Sequence, residues 1–145
     1  MRRALCTVTA IFLCLNMLFT MAAAIDVPTE RIDYEDGSYA VITTTRGALT
    51  RAETADTKAY TYYNPSGQRC FSYTLYATFS YNVITSKAET VDYGVTIYRQ
   101  GWDIDSHNEY TSGSTAYGEA VFSGPNGEER PVSLSLTCDR NGNVK

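Results

Sequence analysis

The chain has 145 residues, with 12 basic against 16 acidic side chains and a net charge of −4. That balance argues against nucleic acid, whose phosphates demand a basic footprint, and against anionic membrane surfaces. The length fits one domain behind a short leader, large enough to bury a core without dense cross-linking.

Arg2 and Arg3 precede an apolar run from Ala4 to Thr20 that ends in Met21-Ala22-Ala23-Ala24. A basic start, an apolar middle and a small-residue exit predict a secretory signal peptide over residues 1–24, cut after Ala24. The run is short for a membrane span, which takes about 20 apolar residues, and Thr7, Thr9 and Asn16 interrupt it. Leu5 and Leu13 stand before Cys6 and Cys14, where a lipid-anchor signal wants a small residue. The expectation is a secreted, extracellular protein without membrane contact after the signal is removed. Losing Arg2 and Arg3 takes the charge of the remainder from −4 to −6.

Residues 25–58 read as an N-terminal arm or linker. Residues 25–37 are acidic and aperiodic, Ser38 to Thr45 has strand composition, and Arg46 to Lys58 fits a linker or one short helix. The globular domain is expected over 59–145. There the composition favours pleated surfaces: all 12 tyrosines follow residue 24, and leucine falls to Leu49, Leu75, Leu134 and Leu136.

Ala59 to Tyr63 reads as a short strand, and Asn64-Pro65-Ser66-Gly67 has turn chemistry throughout. Phe71, Tyr73, Leu75, Ala77, Phe79 and Tyr81 then alternate with polar neighbours, which predicts a long half-buried strand. Val91, Tyr93, Val95 and Ile97 repeat the pattern, across a loop placed at 82–90. Thr115 to Ser123 and Arg130 to Cys138 flank Gly124-Pro125-Asn126-Gly127 as a hairpin, with Val132, Leu134, Leu136 and Cys138 inward. The expected core is Phe71, Tyr73, Leu75, Phe79, Val95, Ile97, Leu134 and Leu136. Short strands with one wet face each predict an all-β, antiparallel β-sandwich, immunoglobulin-like in the broad sense.

Once the signal leaves, Cys70 and Cys138 remain, and an isolated pair in an oxidising compartment predicts one disulfide. Unstrained, so long a loop would add roughly 4 kcal/mol. Cys138 has inward parity in its strand and Cys70 has outward parity. A bulge near Arg69 to Phe71 would reconcile them, because one extra residue flips the side-chain direction.

From Tyr60 onward the chain resembles a group of uncharacterised small β-sandwich proteins secreted by Gram-positive bacteria. The resemblance rests on Tyr60-Thr61-Tyr62-Tyr63-Asn64 with Ser66-Gly67, Ala77-Thr78-Phe79-Ser80-Tyr81, Trp102, and Leu136-Thr137-Cys138-Asp139-Arg140-Asn141-Gly142-Asn143. It implies secretion and a β-sandwich, and no activity. The chain departs from the group at Cys70, where the pattern wants an apolar or aromatic residue.

No residue set completes a catalytic constellation. His107, the lone histidine, has no Gly-x-Ser-x-Gly elbow to serve, and it reads as a solvated loop residue. Asp103, Asp105 and Glu109 suggest a calcium loop, but His107 and Asn108 occupy positions where an EF-hand needs Asp or Asn and then Gly. Tyr76 and Tyr98, placed on one outer face within diagonal reach, and Trp102 are the candidate ligand-binding aromatics. Gly94 beside the tyrosines would leave open space over the sheet. The expected function is a non-enzymatic binding module for an envelope glycan or protein, without cofactor or metal. The alternatives are a small secreted hydrolase, or an inhibitor or antagonistic factor presenting Ser106 to Ser114.

Overall fold

Alternation of side chains builds this molecule. The computed structural model describes residues 29–49 and 52–145, and among them regular structure is entirely strand. The expected signal peptide over residues 1–24 and its expected cut after Ala24 lie outside the described residues. Five strands form one antiparallel sheet in sequence order: β1 (Thr29–Asp33), β2 (Tyr39–Leu49), β3 (Glu53–Tyr63), β4 (Arg69–Asn82) and β5 (Thr85–Ile97). A second sheet holds β6 (Asp103–Ser112), β7 (Thr115–Ser123) and β8 (Glu129–Thr137). The result is a β-sandwich. Its connectivity is two successive meanders, so every hydrogen-bonded neighbour is also the neighbour in sequence.

The two sheets bury the side chains that alternate toward them. Phe71, Tyr73, Leu75 and Phe79 of β4 are fully buried, opposite Phe122 of β7 and Leu134 and Leu136 of β8. The Phe71 and Phe122 rings stack across the sheets with centroids 3.9 Å apart. Ile97, expected in the core, is instead 40% exposed. It ends the edge strand β5, and Val95 on the same strand is only half-buried.

Several turns share one device. In Asn64–Gln68 and Gly124–Glu128, the first residue's N–H donates to the fifth residue's carbonyl. The fourth residue, Gly67 or Gly127, donates back to the first and lies in the left-handed region at φ 74° or 76°. This is a three-residue hairpin loop that needs glycine at its last position. The same bonds close Tyr34–Ser38 and Asp139–Asn143.

The structure corrects four expectations. Thr29–Asp33 is strand β1, not arm, and among the described residues of Arg46 to Lys58, residues 46–49 end β2 and residues 53–58 begin β3, in place of the expected linker or helix. Arg46 pairs with Asp56 and Thr45 with Thr57, so Ala59, the expected domain start, lies in the middle of β3. The missing signal has a physical cause: the inward positions of this stretch include Thr54 and Asp56, both buried. The Thr54 hydroxyl donates to Asp56 Oδ2 at 2.7 Å, so the core face here is polar. The expected 82–90 loop is a tight turn at Val83 and Ile84, and β5 begins at Thr85. The segment around His107, expected as a loop, is strand β6.

The cysteines give one expectation met and one overturned. The register of β3 on β4 passes from Tyr62–Phe71 to Tyr63–Arg69, leaving Cys70 as the extra residue of a bulge. Cys70 and Phe71 are therefore both buried, as the expected flip requires. The disulfide, however, is absent, and both thiols are free. The Ser86 hydroxyl donates to the Cys138 carbonyl, and Ser86 pairs with Tyr81, at the far end of β4 from Cys70. At about 3.3 Å per residue the two cysteines lie on the order of 30 Å apart, against the Cα separation of under about 7 Å that a bridge needs. Unfolding without reductant should therefore make the Cys70 and Cys138 thiols reactive. Burial raises the pKa of both, so the folded protein should label slowly. Quantitative thiol labelling that finds none after unfolding would mean that the pair is bridged.

Candidate functional site

Antiparallel succession brings four connections to one end of the sandwich: Tyr34–Ser38, Asn64–Gln68, Tyr98–Trp102 and Gly124–Glu128. Between them lies a polar cavity of about 320 Å³. Asp36, Asn64, Arg99, Asn126 and Glu128 come from the loops, Tyr62, Cys70 and Arg130 from strand ends, and Trp102 lines the wall. Contacts between loops fix the rim. A side chain at Gly101 would meet Pro125, and one at Gly37 would touch Pro65.

Part of this wall is rigid. The Arg130 guanidinium stands over Tyr34 and Tyr62, 5.3 and 5.2 Å from the ring centroids. Its Nε donates to the Tyr62 hydroxyl at 3.1 Å, and Nη2 pairs with Asp36. The Ser38 hydroxyl and backbone N–H donate to Asp36, with Arg130 adding its charge, and together they hold the carboxyl below its usual range. Trp102 packs on Tyr62 and Phe71 at 5.2 and 5.0 Å, which ties the cavity wall to the aromatic core.

Other charges in the cavity have no such commitments. The only polar partner of the Arg99 guanidinium is the Gln68 side-chain oxygen, and no carboxylate lies within ion-pair reach among the described residues. The Glu128 carboxylate has neither hydrogen bond nor ion pair there. Burial raises the Cys70 thiol pKa; the Arg99 charge works against that rise and Glu128 adds to it.

A second polar constellation joins the sheets at β5 and β6. His107 Nδ1 lies 3.0 Å from Glu109 Oε2, and Nε2 lies 2.9 Å from the Tyr93 hydroxyl. The Tyr73 hydroxyl donates to Glu109 Oε1 at 2.6 Å. Burial, reinforced by that carboxylate, pushes the Tyr73 phenol well above its ordinary range. Sequence reasoning placed His107 in a solvated loop, but it stands on a strand, its ring 4.1 Å from Tyr93. Both ring nitrogens and both Glu109 oxygens are engaged within the protein. The cluster is a clamp between sheet edges, with no free group to offer a substrate. A groove of about 530 Å³ beside it, on the outer face of the smaller sheet, is bordered by short side chains including Ser106 and Ser133.

The remaining candidates disperse. Tyr76 pairs with Asp92, so Tyr98, just past the end of β5, lies six residues further along the chain, roughly 20 Å away at about 3.3 Å per residue. Both are about half exposed, but they form no common patch. The space expected over Gly94 is filled by Tyr76 itself, whose ring atoms would stand 3.1 Å from any added Cβ. Tyr98 carries the Arg69 guanidinium over its ring at 4.9 Å. Trp102 is buried in the core, with its edge in the end cavity. Of the suggested calcium ligands, Asp105 accepts from Ser123, Asp103 from its neighbour's N–H, and Glu109 belongs to the clamp. Ser106 to Ser114, suggested as an inhibitory loop, is mostly strand β6.

Comparison with known proteins finds no matching family model, no similar curated protein and no similar solved structure.

Proposed function

We propose that this is a secreted, non-enzymatic binding module that takes an extracellular ligand, an envelope glycan or protein, into the end cavity. The observation that carries this reading is the convergence of four loops on one polar cavity that holds two uncommitted charges of opposite sign. Rigid walls with a few convergent polar groups are what small-ligand sites require. The hydrolase alternative gains nothing from His107, whose two nitrogens are already engaged.

Trp102 is the sole tryptophan, so its emission reports on the cavity directly. Adding the captured ligand, from purified envelope glycans or surface proteins, should shift that emission. Asn126→Arg would fill the cavity mouth from an exposed turn position without touching the core. Capture should fall about tenfold or more while the melting temperature stays unchanged. Undiminished capture by this variant would place binding elsewhere on the surface.

A further inference from the structure

Building on that reading, we propose that the end cavity takes a small zwitterion, a free α-amino acid or short peptide, with its carboxylate on Arg99 and its ammonium on Glu128. The two side chains line one cavity and do not pair with each other. Asp36 and Arg130, on the same wall, do neutralise each other, and Tyr34 and Tyr62 hold Arg130 in place. The field left inside the cavity is therefore a dipole, positive at Arg99 and negative at Glu128.

A ligand matching that dipole must carry both signs. A phosphate or other simple anion would meet Arg99 but be repelled by Glu128, and a simple cation would face the reverse. A neutral sugar would leave both charges unmatched. Arginine offers a fork of donors suited to a carboxylate, and a carboxylate accepts readily from an ammonium. The volume, about 320 Å³, lies at the lower end of ligand sites, which suits one to three residues of peptide. Trp102 and Tyr62 supply an aromatic wall for a small side chain.

The test uses the single tryptophan and backbone amide shifts at Gly67, Gly101 and Gly127 during titration with alanyl-alanine. Its N-acetylated form, its C-terminal amide and a peptide-free neutral envelope oligosaccharide are titrated in parallel. The expected result is saturable binding of the free dipeptide, weakened about tenfold or more by blocking either end. In Arg99→Gln the free dipeptide and its amide should bind alike. In Glu128→Gln the free and acetylated forms should bind alike. Equal binding of blocked and free dipeptides by the unaltered protein would overturn the zwitterion assignment. If the oligosaccharide moves Trp102 and the dipeptide does not, the assignment falls while the cavity stands as a binding site. If no probe moves Trp102 but Asn126→Arg still abolishes capture of an envelope protein, the assignment falls and the module reading survives. If capture also ignores Asn126→Arg, both fall.

Discussion

Phe71→Ala should destabilise the protein by about 3–5 kcal/mol, near the upper limit for a single truncation in a β-sandwich core. Phe71 is fully buried at the meeting point of the two sheets and the loop end. Its ring stacks on Phe122 at 3.9 Å and also faces Tyr62 at 5.3 Å, Trp102 at 5.0 Å and Tyr60 at 6.0 Å. Alanine would remove the ring and leave a hole whose walls are strands of two sheets, which cannot close on it cheaply. Leu75→Ala and Leu136→Ala, also at fully buried positions, should each cost about 2–5 kcal/mol without disturbing Trp102. Phe71→Ala should in addition shift the Trp102 emission, because it removes one side of the indole's packing. Chemical denaturation read by circular dichroism and by tryptophan fluorescence separates the effects. A cost below about 1 kcal/mol for Phe71→Ala would mean that the sheets are not packed face to face at this ring.

The strands that could be read from the chain are those whose inward face is wholly apolar. β4 and β8 present Phe, Tyr, Leu and Val at every second position, and period two then needs no further information. β3 was hidden in its first half because Thr54 and Asp56 face inward there, the Thr54 hydroxyl donating to Asp56 Oδ2. β6 was hidden because His107 and Glu109 occupy its sheet-facing positions and bond to Tyr93 and Tyr73. Polar groups that find partners inside a fold leave no trace in hydrophobic periodicity. Cysteine count suggests a redox compartment but carries no distance, so Cys70 and Cys138 could not be separated until strand direction was known. The aromatic pair failed through register. The turn at Val83 and Ile84 is shorter than the loop assumed, and that slides Tyr98 along the sheet from Tyr76. Of the end cavity, only Trp102 had been singled out as a binding candidate, and Asn64 and Pro125 were visible only as turn residues. Arg99 and Glu128 come together only because successive antiparallel strands return their loops to one end.

The sheets also approach closely where β7 carries Gly118, and here adding one carbon should be as damaging as removing several elsewhere. A Cβ at Gly118 would stand 2.6 Å from the Tyr73 hydroxyl and 2.7 Å from Leu75 Cδ1. Neither neighbour has room to retreat: Tyr73 and Leu75 are fully buried, and the Tyr73 hydroxyl is held by Glu109 at 2.6 Å. Overpacking of this kind costs about 1–3 kcal/mol, and a displaced Tyr73 would leave a buried hydroxyl and a carboxylate oxygen unmet, at about 1–3 kcal/mol more. Gly118→Ala should therefore destabilise by about 2–6 kcal/mol in all. Tyr73→Phe removes the clashing oxygen together with the bond to Glu109. If the clash is with that oxygen, the double variant Gly118→Ala, Tyr73→Phe should be more stable than the sum of the single effects predicts, by about 1 kcal/mol. A denaturation cycle across the four proteins measures that coupling. Strict additivity would mean that Leu75, not the Tyr73–Glu109 bond, sets the distance between the sheets at Gly118.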